Sequence, residues 1–125
     1  MAKIQSFEEL ECWKSAKELT LAVYLTCNSE KLKREFSAQD QIKRASVSIM
    51  NNIAEGFGRF SNKEFIRFLT IASSSAQEVH SMLILFKDLG FISETEFQKL
   101  LELAKKTKHQ TLAFIKYLNS VSKVP

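Results

Sequence analysis

Four stretches of the chain repeat apolar residues at steps of three and four, the spacing that puts side chains on one face of an α-helix. Each stretch has one such stripe, and the segments between them, residues 29–36, 57–60 and 90–92, are short. The pattern therefore predicts an all-α protein, an up-down-up-down antiparallel four-helix bundle. The four stripes are Cys12, Ala16, Leu19, Val23 and Cys27; Ala38, Ile42, Ala45, Ile49 and Ile53; Phe65, Phe68, Ala72, Ala76, Val79, Leu83 and Phe86; and Phe97, Leu100, Ala104, Thr107, Thr111, Phe114, Leu118 and Val121.

Local signals at the helix ends support this reading. Each stretch opens with a serine followed three residues later by an acid, the pattern of a capping box. Gly56 and Gly90 each follow a periodic run, where a residue with left-handed backbone would end a helix. The serine and acid pairs are Ser6/Glu9, Ser37/Asp40, Ser61/Glu64 and Ser93/Glu96.

Length and composition limit the alternatives. The chain has 125 residues, one proline and three glycines, with 45% hydrophobic residues. These values predict a single helix-rich domain over residues 1–125 and disfavour a strand-and-turn fold. No apolar run has the length of a signal peptide or a membrane span, so we expect a cytoplasmic protein that does not enter a membrane. Cys12 and Cys27, about 22 Å apart on one helix, are expected to be reduced thiols.

Some apolar side chains lie outside the four stripes. A helix that is apolar on more than one face needs a second surface to bury against, so these residues predict contacts between identical subunits. The alternative is that a wide bundle core takes them in. The predicted interface residues are Trp13, Leu21, Tyr24, Leu25, Ile66, Ile71, Ile84 and Leu85.

The net charge of +4 is concentrated in two blocks, +4 over residues 31–67 and +5 over residues 103–125. Such blocks are compatible with RNA or DNA binding through phosphate contacts, although a solvated charged surface would explain them equally well. The candidate nucleic-acid-binding residues are Lys43, Arg59, Lys63, Arg67, Lys105, Lys106 and Lys108.

The second helix carries a polar stripe beside its apolar one, composed of Gln41, Arg44, Ser48, Asn52 and Glu55. Serine, asparagine and glutamine are mediocre helix formers, so we interpret the stripe as a partly buried hydrogen-bond network in preference to a ligand site. Arg44 and Glu55 lie about 16 Å apart along the helix and need other partners. The candidates are Glu78 for Arg44 and Arg59 for Glu55.

No catalytic or metal-binding motif is present. His80 and His109 are the only histidines, and neither has a second histidine or a cysteine at ligand spacing. There is no glycine-rich phosphate loop and no nucleophile elbow. We therefore expect no enzymatic activity, no metal and no cofactor.

The run from Gln41 to Arg59 contains the elements Q-x-x-R-A-x-x-S-I and N-I-A-E-G-x-G-R, and Ser61 to Phe65 continue in register. This run resembles the signature of the four-helix-bundle proteins encoded in 23S rRNA intervening sequences. The resemblance implies a homo-oligomer, commonly a pentameric barrel. It also implies a fold similar to that of the accessory variability determinant proteins of diversity-generating retroelements, which bind nucleic acid.

Two hypotheses of function follow. The first is a non-catalytic, homo-oligomeric protein that binds RNA or DNA through a basic surface. The alternative is a scaffold whose exposed apolar faces or polar stripe receive a partner protein, the basic charge being incidental.

Overall fold

The computed structural model describes residues 4–122 of the chain, and these residues form helices and connections without a strand. A short 3₁₀ turn, Phe7–Glu9, precedes α1, Glu11–Cys27. The remaining helices are α2, Phe36–Phe57; α3, Asn62–Asp88; and α4, Glu94–Ser122. The predicted all-α four-helix architecture is confirmed.

The helices pack in a ring, in which the backbone of each helix lies close to those of its two neighbours and not to that of the helix diagonally opposite. Contacts between α3 and α4 show the antiparallel direction. Lys87, at the end of α3, lies 3.8 Å from Glu94 at the start of α4. At the other end of the bundle, the rings of Phe65 and Phe114 are 5.2 Å apart between centroids. The other connections are also short, so consecutive helices run in opposite directions, which gives the up-down-up-down order.

The predicted apolar stripes form the core, and the structure differs from the prediction in α3 and α4. All five stripe residues of α1 are buried, and so are most of those on the other helices. In α3, however, Leu69, which lies outside the predicted stripe, is fully buried, while Phe68 is only half-buried. In α4, Phe114 is half-buried and Val121 is exposed.

Three of the four predicted serine and acid pairs make capping hydrogen bonds, and two of these three pairs each lie at the start of one of the four long helices. The Ser61 hydroxyl accepts a hydrogen bond from the Glu64 amide at 3.2 Å and caps α3. At the start of α4, Ser93 and Glu96 exchange bonds in both directions, at 2.9 and 3.1 Å. Glu9 accepts from the Ser6 amide at 2.9 Å, but this pair caps the 3₁₀ turn and α1 begins only at Glu11.

The predicted capping box at Ser37 and Asp40 is wrong. Helix α2 begins at Phe36 with Glu35 as its N-cap, so Ser37 already lies inside the first turn. The Asp40 carboxylate is paired with Arg44 instead of reaching back to the helix start.

Gly90 ends α3 as predicted. Its φ is +78°, in the left-handed region. The Gly90 amide donates to the Lys87 carbonyl at 3.0 Å, and the Phe91 amide donates to the Phe86 carbonyl at 2.8 Å. These two bonds form a Schellman motif, and the Phe86 and Phe91 rings pack edge to face 5.7 Å apart, as this motif favours.

Gly56, in contrast, is not a helix stop. It lies within α2, whose last residue is Phe57 and whose C-cap is Gly58. A Cβ atom at Gly56 would lie 2.8 Å from Phe65 Cδ1 and 2.8 Å from Phe68 Cβ. Glycine at this position therefore allows α2 and α3 to approach each other closely.

Candidate functional site

The charged residues at the two ends of the α2 polar stripe each pair with a residue four positions away in the sequence. Arg44 Nε lies 3.0 Å from the Asp40 carboxylate, four residues earlier. The predicted Arg44–Glu78 pair is therefore wrong, because a carboxylate one turn away on the same helix already holds the guanidinium. Glu55 does pair with Arg59, at 2.9 Å. All of these charged groups, as well as Gln41 and Glu78, are exposed.

The middle of the stripe forms a small hydrogen-bond network. Asn52 Nδ2 donates to the Ser48 carbonyl at 2.8 Å and to Ser48 Oγ at 3.0 Å. Ser48 Oγ lies 2.9 Å from Ser75 Oγ on α3, so the network links two helices. Ser75 is buried and was not among the predicted members. Its position next to Ala76 in the apolar stripe of α3 was the available signal.

The predicted basic residues are distributed over several parts of the bundle. Three of them lie near the connection between α2 and α3, namely Arg59, Lys63 and Arg67. The guanidinium carbons of Arg59 and Arg67 lie 4.7 and 4.6 Å from the centre of the Phe68 ring. Arg67 also donates to the Glu64 carboxylate, and this hydrogen bond holds the pKa of Glu64 below its ordinary value of 4.5. Both arginines are therefore already engaged.

Lys43 is turned toward α1. Its ammonium group lies 4.8 Å from the centre of the Tyr24 ring and 3.3 Å from Gln39 Oε1. The residue is half-buried. Its charge is therefore less accessible to a large ligand than the sequence suggests.

The three lysines of α4 do not share one face. Lys105 and Lys108 line a groove between α3 and α4, which we call the α3–α4 groove. Lys106 lines a different groove between α1 and α4, the α1–α4 groove. At 100° per residue around the helix axis, Lys106 points well away from Lys105 and Lys108. Residues that are close in sequence thus serve two surfaces.

The α1–α4 groove has an apolar lining with a charged rim. Leu21, Ala22 and Leu25 come from α1, and Leu103 comes from α4. The rim carries two carboxylates and two ammonium groups, so its formal charges cancel; these belong to Glu18, Glu102, Lys99 and Lys106.

Six of the eight predicted interface residues are exposed. Leu25 is 74% exposed, Leu21 57% and Leu85 52%. Trp13 and Ile66 differ from the rest, because both are half-buried and pack against the core. The full set of exposed interface candidates is Leu21, Tyr24, Leu25, Ile71, Ile84 and Leu85.

The two cysteines are buried. Cys12 and Cys27 are free thiols in the core. Burial raises the pKa of Cys12 to about 11 and also raises that of Cys27, so both remain protonated at neutral pH. Along residues 4–122, no three His, Cys, Asp or Glu side chains are grouped so that they could hold a metal ion. In the same part of the chain, no helix is both long and apolar enough to cross a membrane.

The fold and these surfaces define a four-helix-bundle protein with exposed apolar faces and surface grooves. The chain belongs to the 23S rRNA-intervening sequence protein family, whose family model matches residues 8–113. A solved structure of a protein of unknown function, from the S23 ribosomal protein family of Bacteroides thetaiotaomicron VPI-5482, is similar to it with a TM-score of 0.77 and 24% identity. The alignment covers 84% of this chain and 98% of that one, and it supports the fold. No curated protein sequence matches this chain significantly.

Proposed function

We propose that this chain is a non-catalytic subunit of a homo-oligomer that binds RNA or DNA through its basic side chains. The observation that carries the proposed assembly is the set of exposed leucine and isoleucine side chains on α1 and α3. The resemblance described above supports a pentamer as the assembly.

The exposed apolar side chains provide the driving force for assembly. Leu21 and Leu25 are one turn apart on α1, and Leu85 and Ile84 are adjacent on α3. Complete burial of one leucine or isoleucine side chain stabilises an interface by about 1.5–3 kcal/mol. Two such pairs per subunit therefore favour association, although the entropy lost on binding offsets part of this gain.

Assembly would also multiply the charge. A single chain of net charge +4 attracts a polyanion weakly, whereas five chains would carry +20. Each phosphate neutralised by a lysine or arginine releases counterions and strengthens binding in a salt-dependent way. Lys63 and Lys105 are exposed and outside every ion pair of the described residues, which makes them better phosphate contacts than Arg59 and Arg67.

Light scattering after size exclusion tests the assembly. A pentamer of 14.3 kDa chains has a mass of about 72 kDa. We expect Leu25→Glu and Leu85→Glu together to lower the mass toward that of the monomer. Leu112→Glu, on α4 and outside the proposed interface, is the matched control and should leave the mass unchanged. A wild-type mass near 14.3 kDa would overturn the proposed assembly.

A salt titration of RNA binding tests the proposed nucleic-acid binding. Fluorescence anisotropy with a labelled single-stranded RNA should give an affinity that falls as salt rises. Replacing the three α4 candidates Lys105, Lys106 and Lys108 with glutamine should weaken binding uniformly across sequences. The matched control removes the same charge elsewhere, at Lys14, Lys31 and Lys33. Absence of binding near physiological salt, or equal losses in both variants, would contradict the proposed surface.

A protein partner is the second candidate function, and the α1–α4 groove favours it. The groove combines an apolar lining with a rim of zero net charge, which gives a polyanion no electrostatic advantage. An amphipathic helix could lay its apolar side chains along Leu21 and Leu25. Under this alternative, Leu25→Glu abolishes capture of the partner without changing the oligomer mass.

A further inference from the structure

The α3–α4 groove collects four basic side chains in one place. Its volume is about 360 Å³, and no carboxylate is among its lining residues. Two lining residues come from α3 and the rest from α4. They are Gln77 and His80 of α3, and Lys105, Lys108, His109 and Leu112 of α4.

Helical spacing explains why the α4 residues converge. Lys105, Lys108 and His109 stand at positions i, i+3 and i+4, which are neighbours on one face of a helix. Gln77 Oε1 accepts a hydrogen bond from Lys108 Nζ at 2.5 Å, which draws this lysine across the groove toward α3. His80 is half-buried, whereas Lys105 and His109 are exposed.

Within residues 4–122, the lysines of the groove have no carboxylate partner, unlike three of the arginines elsewhere on the molecule. Each of these arginines pairs with a carboxylate three or four residues earlier in the sequence; they are Arg44, Arg59 and Arg67. Among the described residues, no ion pair involves Lys105 or Lys108. An anion that entered the groove would therefore not have to displace a carboxylate.

We propose that the α3–α4 groove binds a phosphate group, and that His80 and His109 make this binding stronger as the pH falls. The phosphate is either a phosphodiester of a nucleic acid or a free phosphate compound. Only the nucleic-acid source depends on the function proposed above. The role differs from that of a general basic surface because it gives the two histidines a specific function.

The direction of the pH dependence follows from charge. Histidine is the side chain whose ordinary pKa, about 6.5, lies between pH 5.5 and pH 7.5. The titratable groups that line the groove are Lys105, Lys108 and the two histidines. Protonation of both imidazoles would raise the formal charge of these four side chains from +2 to +4. An anion favours the protonated imidazoles and raises their pKa, and by linkage it binds more tightly at low pH.

Histidine titration by NMR tests the site directly. Dimethyl phosphate, a phosphodiester that keeps one negative charge over this pH range, is compared with sodium chloride at equal ionic strength. We expect it to raise the pKa of both His80 and His109 by about 0.5, as a nearby opposite charge does. The variant Lys105→Gln/Lys108→Gln should reduce this change. If neither imidazole responds to dimethyl phosphate, the proposal is wrong.

RNA binding identifies the source of the phosphate. At constant ionic strength, a labelled single-stranded RNA should bind wild-type protein about tenfold more tightly at pH 5.5 than at pH 7.5, corresponding to about threefold for each histidine. His80→Gln/His109→Gln should remove most of this difference. Lys63→Gln, far from the groove, should lower the affinity equally at both pH values. Circular dichroism at each pH verifies that the variants are folded.

The outcomes separate this proposal from the proposed function. If RNA binds but the histidine variant keeps the wild-type pH dependence, the role of His80 and His109 is refuted while nucleic-acid binding stands. If dimethyl phosphate raises both histidine pKa values but no RNA binds, the groove is a site for free phosphate compounds and the nucleic-acid function fails.

Discussion

Replacement of Gly56 by alanine tests how closely α2 and α3 are packed. The new Cβ would lie 2.8 Å from Phe65 Cδ1, 2.8 Å from Phe68 Cβ and 3.3 Å from the Phe65 carbonyl oxygen. Two of these three atoms are held by the backbone of α3 and cannot rotate away. The helices must therefore separate locally to admit a single methyl group.

Two opposing effects set the change in stability that Gly56→Ala causes. Overpacking a well-packed core costs typically about 1–3 kcal/mol. Alanine is a better helix former than glycine by about 1 kcal/mol, which offsets part of the loss because Gly56 lies inside α2. Because two of the contacted atoms cannot move independently of α3, we place the cost of overpacking in the upper part of its range, about 2–3 kcal/mol. We therefore expect a net loss of about 1–2 kcal/mol in the free energy of unfolding. For a chain of this size, this corresponds to a fall in Tm of roughly 3–10 °C.

The other two glycines provide matched controls. A Cβ at Gly58 would meet only the Glu55 carbonyl, at 3.6 Å, an ordinary contact. At Gly90 nothing lies within 4 Å, but the backbone φ of +78° disfavours alanine. Gly58→Ala should therefore leave the stability within about 0.5 kcal/mol of wild type, and Gly90→Ala should cost about 1 kcal/mol through backbone strain alone.

Urea unfolding followed by circular dichroism measures all three variants at one fixed protein concentration, since self-association would raise the apparent stability. If Gly56→Ala is as stable as wild type or more so, the close approach of α2 and α3 does not constrain the core, and our reading of this glycine is refuted. A loss equal to that of Gly58→Ala would lead to the same conclusion.

Three further predictions concern buried polar groups. The pKa of Cys12 is about 11 in the folded chain and 9.0 ordinarily, so the thiol of the unfolded chain loses its proton first as the pH rises. The free energy of unfolding should therefore fall by about 1 kcal/mol between pH 8 and 10. Urea titrations of Cys12→Ala should lack this component of the fall. Ser48→Ala and Ser75→Ala should show a coupling of about 1 kcal/mol in a double-mutant cycle, whereas additive losses would exclude a contribution from their hydrogen bond. Gln110 Oε1 is buried without a hydrogen-bond partner among the described residues, so Gln110→Met should raise stability by about 1 kcal/mol, and a lower Tm would contradict this.

The sequence predicted the helices well because their signals are local. The apolar stripe and the Ser93/Glu96 pair need information from only one helix, and both are found in the structure. Gly56 and Gly90 look alike at that level, since each follows a periodic run. Only the distance between α2 and α3 shows that Gly56 serves packing, and this distance depends on Phe65 and Phe68 of another helix.

The candidate site was harder to predict because, as at Gly56, its contacts join residues of different helices. The Arg44–Glu78 pair required the correct alignment of α2 against α3, and Asp40, one turn before Arg44, provides a carboxylate in any alignment. The basic stretch near residue 105 was recognised, but its division between two grooves follows from the position of α4 relative to α1 and α3. His80 acquires its basic neighbours only when α3 and α4 are placed side by side.

The division of the α4 lysines between two grooves separates the two proposed roles. Lys106 lies in the α1–α4 groove beside Leu21 and Leu25, so a subunit or partner that covered these leucines would also cover Lys106. Lys105 and Lys108 lie in the α3–α4 groove and would remain accessible. Lys106→Gln should then alter assembly or partner binding with little effect on phosphate binding, while Lys105→Gln/Lys108→Gln should do the reverse. Equal effects of the two variants on RNA affinity would show that the two grooves act as one surface.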